Sequence, residues 1–248
     1  MKKVLINNRW KILLPDFRDN PESWKEWEKE RLAAIYEVIR PFVFPDHYFQ
    51  TKDQIVFDIG AEQGDFTGLF AMWGAKVVAF EPNPKIWRNI KAIFDANKLK
   101  LTGHFVGFAS NVIDIKPDKI EAVINEPDKD GWPACAYGEV TEENEFRGVH
   151  ERTHDTPSIT IDHFVEVNKL VPTILNIDVE GAEYLVLEGA AKTLTDNKVD
   201  VFVSIHPEMM FHIHQKYTTE LIGLMGSFGY GWKYLAFDHE FHFHFFKV

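Results

Sequence analysis

The sequence predicts an α/β fold: a doubly wound, mostly parallel sheet with a C-terminal antiparallel hairpin and an N-terminal helical extension. Three observations carry this. From Ile55 onward, short apolar runs alternate with segments of helical period. Strands joined through helices cross over right-handedly and pair in parallel. Two strand-like runs then follow one another directly near residue 240.

Taken in order, Lys3 to Ile6 reads as a short strand, followed by a turn-rich stretch with Pro15 and Asp16. Pro21-Glu22-Ser23 marks a helix start. Trp24, Trp27, Leu32, Ile35, Val38 and Ile39 form an apolar stripe of helical period that ends before Pro41. Ile55 to Ile59 is a buried strand, Asp65 to Trp73 a helix stopped by Gly74, Lys76 to Phe80 a strand, and Lys85 to Asn97 a helix. Strands are expected near His104 to Phe108 and Ile120 to Ile124. Asn125 to Pro157 has no clear period. Ile161 to Asn168 is a short helix, Thr173 to Ile177 a strand, Ala182 to Leu194 a helix, Val199 to Ile205 a strand and Lys216 to Phe228 a helix. Trp232 to Phe237 and Glu240 to Phe246 form the hairpin across Asp238-His239. Residues 1–50 are expected to be an extension packed on a main domain of residues 51–248.

Composition narrows the function. The 248 residues carry 27 Lys plus Arg against 38 Asp plus Glu, a net charge of −11. Such a chain repels phosphate backbones, so nucleic acid is an unfavourable partner. A lone cysteine, Cys135, rules out a disulfide framework. The longest stretch lacking Asp, Glu, Lys and Arg, Leu101 to Ile113, is too short to span a membrane. The N-terminal residues carry no signal-like apolar run, so a cytoplasmic location is expected. The 21 Phe and 7 Trp are many for this length and imply an aromatic core or an aromatic pocket.

The sharpest feature is Asp58-Ile59-Gly60-Ala61-Glu62-Gln63-Gly64-Asp65-Phe66-Thr67, followed by Phe80-Glu81-Pro82-Asn83. Open α/β sheets bind ligands beyond the carboxyl ends of their strands, where strand order reverses. Gly60 and Gly64 let the backbone turn and approach a ligand closely. Glu81, ending the next strand, can accept bonds from two ribose hydroxyls. A dinucleotide site shows G-x-G-x-x-G; here the spacing is G-x-x-x-G, with Ala61 after the first glycine and Asp65 at the helix start. A cationic nucleoside without phosphate, S-adenosylmethionine, fits acidic walls better. Asp58, Gly60, Ala61, Gly64, Thr67, Glu81, Asn83, Ser110 and Asn111 are the expected cofactor residues. Capping and turn glycines are the plain alternative.

A second cluster is Ile177-Asp178-Val179-Glu180-Gly181-Ala182-Glu183, continuing to Leu187-Glu188-Gly189-Ala190. Three carboxylates stand near one strand end and helix start. Helix N-termini favour carboxylates, so capping accounts for Glu183; Asp178, which ends an apolar strand, points to chemistry.

These two strings, with Ser158-Ile159-Thr160-Ile161-Asp162 between them, resemble the FkbM-type S-adenosylmethionine-dependent methyltransferases over roughly Gln54 to Tyr234. The resemblance implies a seven-stranded, Rossmann-like class I methyltransferase fold and an O-methyltransferase acting on a hydroxyl of a sugar, glycan or glycosylated small molecule. Two positions depart from the family pattern: Asn176 stands where Lys is usual, and Ser204 where Glu is frequent.

Methyl transfer from a sulfonium needs alignment and a proton acceptor for the hydroxyl. Asp178 and His206 end successive strands and are the expected catalytic pair, with either as base. Asp178, Glu180, His206 and Glu208 are also hard ligands able to bind Mg²⁺ or Mn²⁺. His242 and His244 share one face of a strand whose Phe side faces the core. His150 and His154, in the irregular segment, are substrate-contact candidates, and Trp132 and Tyr137 are candidates to stack on a sugar. The rival readings are an NAD(P)-dependent oxidoreductase and a non-catalytic module of the same fold.

Overall fold

The computed structural model describes residues 1–18, 23–40, 53–115, 131–140 and 156–248. The chain opens with an antiparallel hairpin, β1 (Lys2–Ile6) and β2 (Trp10–Leu14). β2 occupies part of the stretch that reads as turn-rich in sequence. Asn7 and Asn8 both adopt left-handed backbone (φ 50 and 55), which Asn tolerates and which reverses the chain tightly. Trp10, Ile12 and Leu14 then alternate inward. Helix α1 (Lys29–Ile39) starts later than its apolar stripe, because Trp24 to Glu28 form turns and Glu28 is left-handed (φ 39).

Next come β3 (Ile55–Ile59), α2 (Asp65–Met72), β4 (Lys76–Phe80) and α3 (Trp87–Asn97). The expected strand near residue 105 is two short ones, β5 (Gly103–Phe105) and β6 (Phe108–Ala109). The strand expected over 120–124 lies outside the described residues. After β7 (Ser158–Ile159) and α4 (Ile161–Asn168) comes β8 (Ile174–Ile177). The helix expected over 182–194 is broken at Gly189 into α5 (Glu183–Glu188) and α6 (Ala191–Asp196). A Cβ at Gly189 would stand 2.0 Å from the Ser110 carbonyl, so this joint packs directly on the loop after β6. Then follow β9 (Asp200–Ile205), α7 (Pro207–His214), α8 (Thr218–Ser227), β10 (Tyr230–Phe237) and β11 (Phe241–Lys247). Helix α7 is an addition to the elements that the sequence pattern predicts. Pro207 starts it; proline suits the first turn of a helix, whose N–H is unpaired anyway.

Among the described residues the main sheet has seven strands in the order β10-β11-β9-β8-β3-β4-β5. β9, β8, β3, β4 and β5 run parallel, and β11 is antiparallel to both β9 and β10. Strand order reverses between β3 and β8, which sets their carboxyl ends as the ligand edge. The parallel strands are buried on both faces. Phe57, Ile59, Phe80, Phe105 and Ile177 meet α4 through Phe164, while Val56, Val77, Ile174 and Phe202 meet α1 and α2 through Ile35, Ile39 and Phe70.

Much of the aromatic excess is core. Trp10 lies 5.0 Å from Trp73 and 5.6 Å from Tyr36 between ring centroids, and Trp24 meets Trp27 edge-on. These rings bind the hairpin and α1 to α2, joined by Leu69 and Ile93. Burying each such ring is worth about 1.5–3 kcal/mol. Phe243 and Phe245 of β11 face the core as expected, and His242 and His244 face the other way, where they bond Asp238 and Asp200.

Candidate functional site

A cavity of about 770 Å³ opens at the carboxyl ends of β3, β4 and β8. Its floor is the β3–α2 loop. Gly60 (φ 85) and Gly64 (φ 84) are both left-handed. A Cβ on Gly60 would lie 1.7 Å from the Asp178 carbonyl, so glycine is required for β3 and β8 to close side by side. The Gly60 and Ala61 N–H groups both donate to the Phe80 carbonyl, which ties the loop to β4.

At one end of the cavity stands Glu81, 3% exposed. Its carboxylate accepts the N–H groups of Glu62 (3.0 Å) and Asn83 (2.7 Å). Burial outweighs those bonds and pushes it up to about 8. Gly60, Ala61, Ser110 and Ser158 share the wall with it.

Several expected cofactor residues act from behind. Asp58 is buried beneath the loop, accepting from Thr67 Oγ1 and from Asn176 Nδ2 at 2.7 Å, and burial raises it to about 6. Gly64 packs on Ile90. The Asn83 side chain accepts the Lys85 N–H, and Asn111 donates to Glu188 at the surface. In the Ser158-to-Asp162 segment, Asp162 caps α6 by accepting the N–H groups of Lys192 and Thr193. Asp65 pairs with Arg18, so the helix start does not present a bare anion.

The other end of the cavity holds Asp178, Glu180 and Glu240. Asp178 Oδ1 lies 3.8 Å from His206 Nε2, so the expected pair does come together. Glu183 does more than cap. Its Oε1 accepts the Gly181 N–H at 2.9 Å and meets His206 Nδ1 at 2.7 Å, fully buried. His206 Nε2 stands 3.5 Å from Glu180 and 3.2 Å from Glu240. Burial disfavours the imidazolium, but the bonds to Glu183 and Glu240 and the charge of Asp178 prevail and lift His206 to about 11. Burial alone would raise Glu240, yet the His206 contact takes it down to about 2. Glu180 is left-handed (φ 52), a strained conformation for a residue with a side chain.

Two residues escape sequence reasoning. Glu240 looks like hairpin-turn polarity. Arg31, in the helical stripe of α1, is completely buried and bonds Asp178, Glu28, Asn176 and Ser204. Its one available signal is a charge on the apolar side of an amphipathic helix. Other candidates lie elsewhere. Glu208 is exposed on α7 and is not among the residues that line the cavity. Trp132 is buried against Phe94, and Tyr137 lies under Lys91. The aromatic rings lining the cavity are instead Trp27, Phe66, Phe80 and Phe108. His150 and His154 lie outside the described residues.

Known proteins give consistent likenesses. The chain resembles a methyltransferase FkbM from Methylobacillus flagellatus (13% identity, TM-score 0.49, covering 92% of this chain and 56% of that one). It also resembles a T. thermophilus 16S rRNA N2 methyltransferase solved with AdoMet and guanosine (14%, TM-score 0.50, covering 100% and 50%), a likeness of fold. A third is the Synechocystis magnesium protoporphyrin IX methyltransferase with bound SAM (9%, TM-score 0.42, covering 92% and 83%). The chain thus spans about half the length of the first and second of these proteins. No curated protein matches it. The family model of the methyltransferase FkbM domain matches residues 58–231, well over half the chain and both ends of the cavity. With its class I methyltransferase-like strand order, the chain belongs to the FkbM methyltransferase family.

Proposed function

We propose that the chain is an S-adenosylmethionine-dependent O-methyltransferase acting on a hydroxyl of a sugar or glycosylated small molecule. The observation that carries this is one cavity with a glycine loop and a buried Glu81 at one end and the carboxylates Asp178, Glu180 and Glu240 at the other, with the His206 imidazole behind those carboxylates. The residues fit the cofactor: Glu81 for a ribose diol, Gly60 and Ala61 for close backbone approach, Ser110 beside the base. When bound, the cofactor supplies an activated methyl group. The chain's own part is alignment and proton removal.

His206, held protonated, does not accept the proton at neutral pH. We assign the base to Asp178, which directly follows β8 beside the glycine loop and has its Oδ1 facing the imidazolium. As the O–C bond to the methyl forms, the C–S bond would break to leave the neutral thioether; Asp178 would take the hydroxyl proton, and His206 would steady the charges around it. We read residues 51–248 as the catalytic domain, residues 1–50 as its extension, and the cytoplasm as its location; no helix among the described residues is long and apolar enough to cross a membrane.

A second reading adds a divalent cation such as Mg²⁺ or Mn²⁺, favoured because Asp178, His206 and Glu240 offer ligand atoms within 4.8 Å of one another. Such an ion would have to displace the His206 proton. EDTA treatment followed by Mg²⁺ or Mn²⁺ reads this directly.

The test of the main reading is a thermal scan with S-adenosylhomocysteine and with NAD(P), then release of S-adenosylhomocysteine over a panel of monosaccharide methyl glycosides and small alcohols. A ligand at 100 times its Kd adds about 2.7 kcal/mol to stability. Stabilisation by NAD(P) alone favours an oxidoreductase. Binding of S-adenosylhomocysteine without turnover on any acceptor favours a non-catalytic module.

A further inference from the structure

We propose that Arg31 is a positioning residue for the proton-accepting carboxylate, so that α1, which precedes the family-matched residues 58–231, completes the reaction site. The inference rests on the reading of Asp178 as base.

Arg31 is 0% exposed. Its Nη1 donates to Asp178 Oδ2 at 3.0 Å, to Glu28 Oε2 at 2.7 Å and to Ser204 Oγ; its Nη2 donates to Asn176 Oδ1 at 2.8 Å. One guanidinium therefore ties together β8, β9 and the turn after β8. The division of labour at Asp178 follows. Oδ2 is pinned by Arg31, while Oδ1 is turned toward His206, and Asp178 itself lines the cavity. A carboxylate held by one oxygen presents the other in a fixed direction, which is what an in-line proton acceptor needs. Arg31 itself stays out of the cavity wall, so it acts through Asp178 and not on substrate.

Asn176 on β8 and Ser204 on β9 both accept from Arg31. Long charged side chains at those two strand positions would compete with the guanidinium for the same space. The positive charge beside Asp178 thus arrives from α1 and not from β8.

The experiment uses the full chain with Arg31→Met, Arg31→Lys and Arg31→Met/Asn176→Lys. The readouts are melting temperature, S-adenosylhomocysteine Kd, and kcat and KM for a methyl glycoside that the wild type methylates. A positioning role predicts that Arg31→Met lowers kcat at least 100-fold, with KM and Kd within threefold. Lys at 176, adjacent to the vacated guanidinium, returns at least tenfold of that loss. If Arg31→Met does not fold, Arg31→Lys decides: it keeps the charge but not the fork, and kcat falls at least fivefold at constant KM. A folded variant with kcat within threefold of wild type overturns the proposal. So does a loss of Kd in parallel with kcat, the mark of a merely structural tie. A wild type that binds S-adenosylhomocysteine yet methylates no acceptor overturns the parent reading instead.

Discussion

Replacing Gly60 with alanine probes the junction on which the cavity is built. Two costs add. At φ 85 an L-residue sits in the left-handed region, at about 1–2 kcal/mol. The new methyl would stand 1.7 Å from the Asp178 carbonyl, with no flexible side chain to give way. The backbone is fixed on both sides, by Gly60 N–H to Phe80 O (3.0 Å) and Asp178 N–H to Ile59 O (3.0 Å). β3 and β8 must therefore separate, an overpacking cost of about 1–3 kcal/mol. The sum is about 2–5 kcal/mol, a Tm fall of roughly 4–20 °C for a chain of this size. Gly74 is the control: it has φ 95, and a methyl added there would meet nothing within 4 Å, so Gly74→Ala carries the backbone cost alone. Calorimetry of both variants, with S-adenosylhomocysteine titration of Gly60→Ala, is the assay. Equal Tm losses for the two would refute the reasoning, since the close approach would then contribute nothing.

Three further outcomes are expected. Above pH 8, where the Glu81 carboxylate is ionised, Glu81→Gln should weaken S-adenosylhomocysteine binding by about 10–100-fold with the fold retained, the worth of a charge-assisted hydrogen bond; calorimetric titration there showing less than a twofold change removes Glu81 from the ribose site. Glu28 and Glu81, pushed by burial up to about 8, and His206, lifted to about 11, all hold their protons more tightly when folded. The stability they confer is present below their unfolded values near 4.5 and 6.5, and is lost as pH rises through about 8 and about 11, so urea midpoints should fall from pH 5 to 8 and again toward pH 11. Glu28→Gln should flatten the first decline, and a midpoint rising over that range would contradict the assignment. The His206 ring signals in proton–nitrogen NMR should stay those of an imidazolium from about pH 6 to 8, and Glu183→Gln should bring its titration down toward the neutral range.

How much of this is legible in the residues depends on burial. β3, β4, β8 and β9 are sandwiched between helices, so they read as mostly apolar runs, and the glycine and carboxylates at their ends locate the site. The β1–β2 hairpin escapes notice because its signal is a pair of left-handed asparagines, weaker punctuation than glycine. Helix α7 escapes because it is only Pro207 to His214, with one fully buried residue, Met210. Asp58 and Thr67 read in sequence as residues that shape and support the loop, and in the fold they bond each other beneath it. Glu240 cannot be placed by local pattern at all, and Arg31 only by its charge on the apolar side of α1. Their partners lie far away in sequence, and a charge on a helix or a turn ordinarily means solvent.

That distance has a consequence for how the protein comes into being. Arg31 and Ser204 are 173 positions apart, and β11, next to Glu240, is inserted between β9 and the earlier-made β10. Contacts of such long range close late in folding. A nascent chain can pair β3 with β4 early, but Glu240 joins Asp178 and His206 only when β11 slots into the sheet.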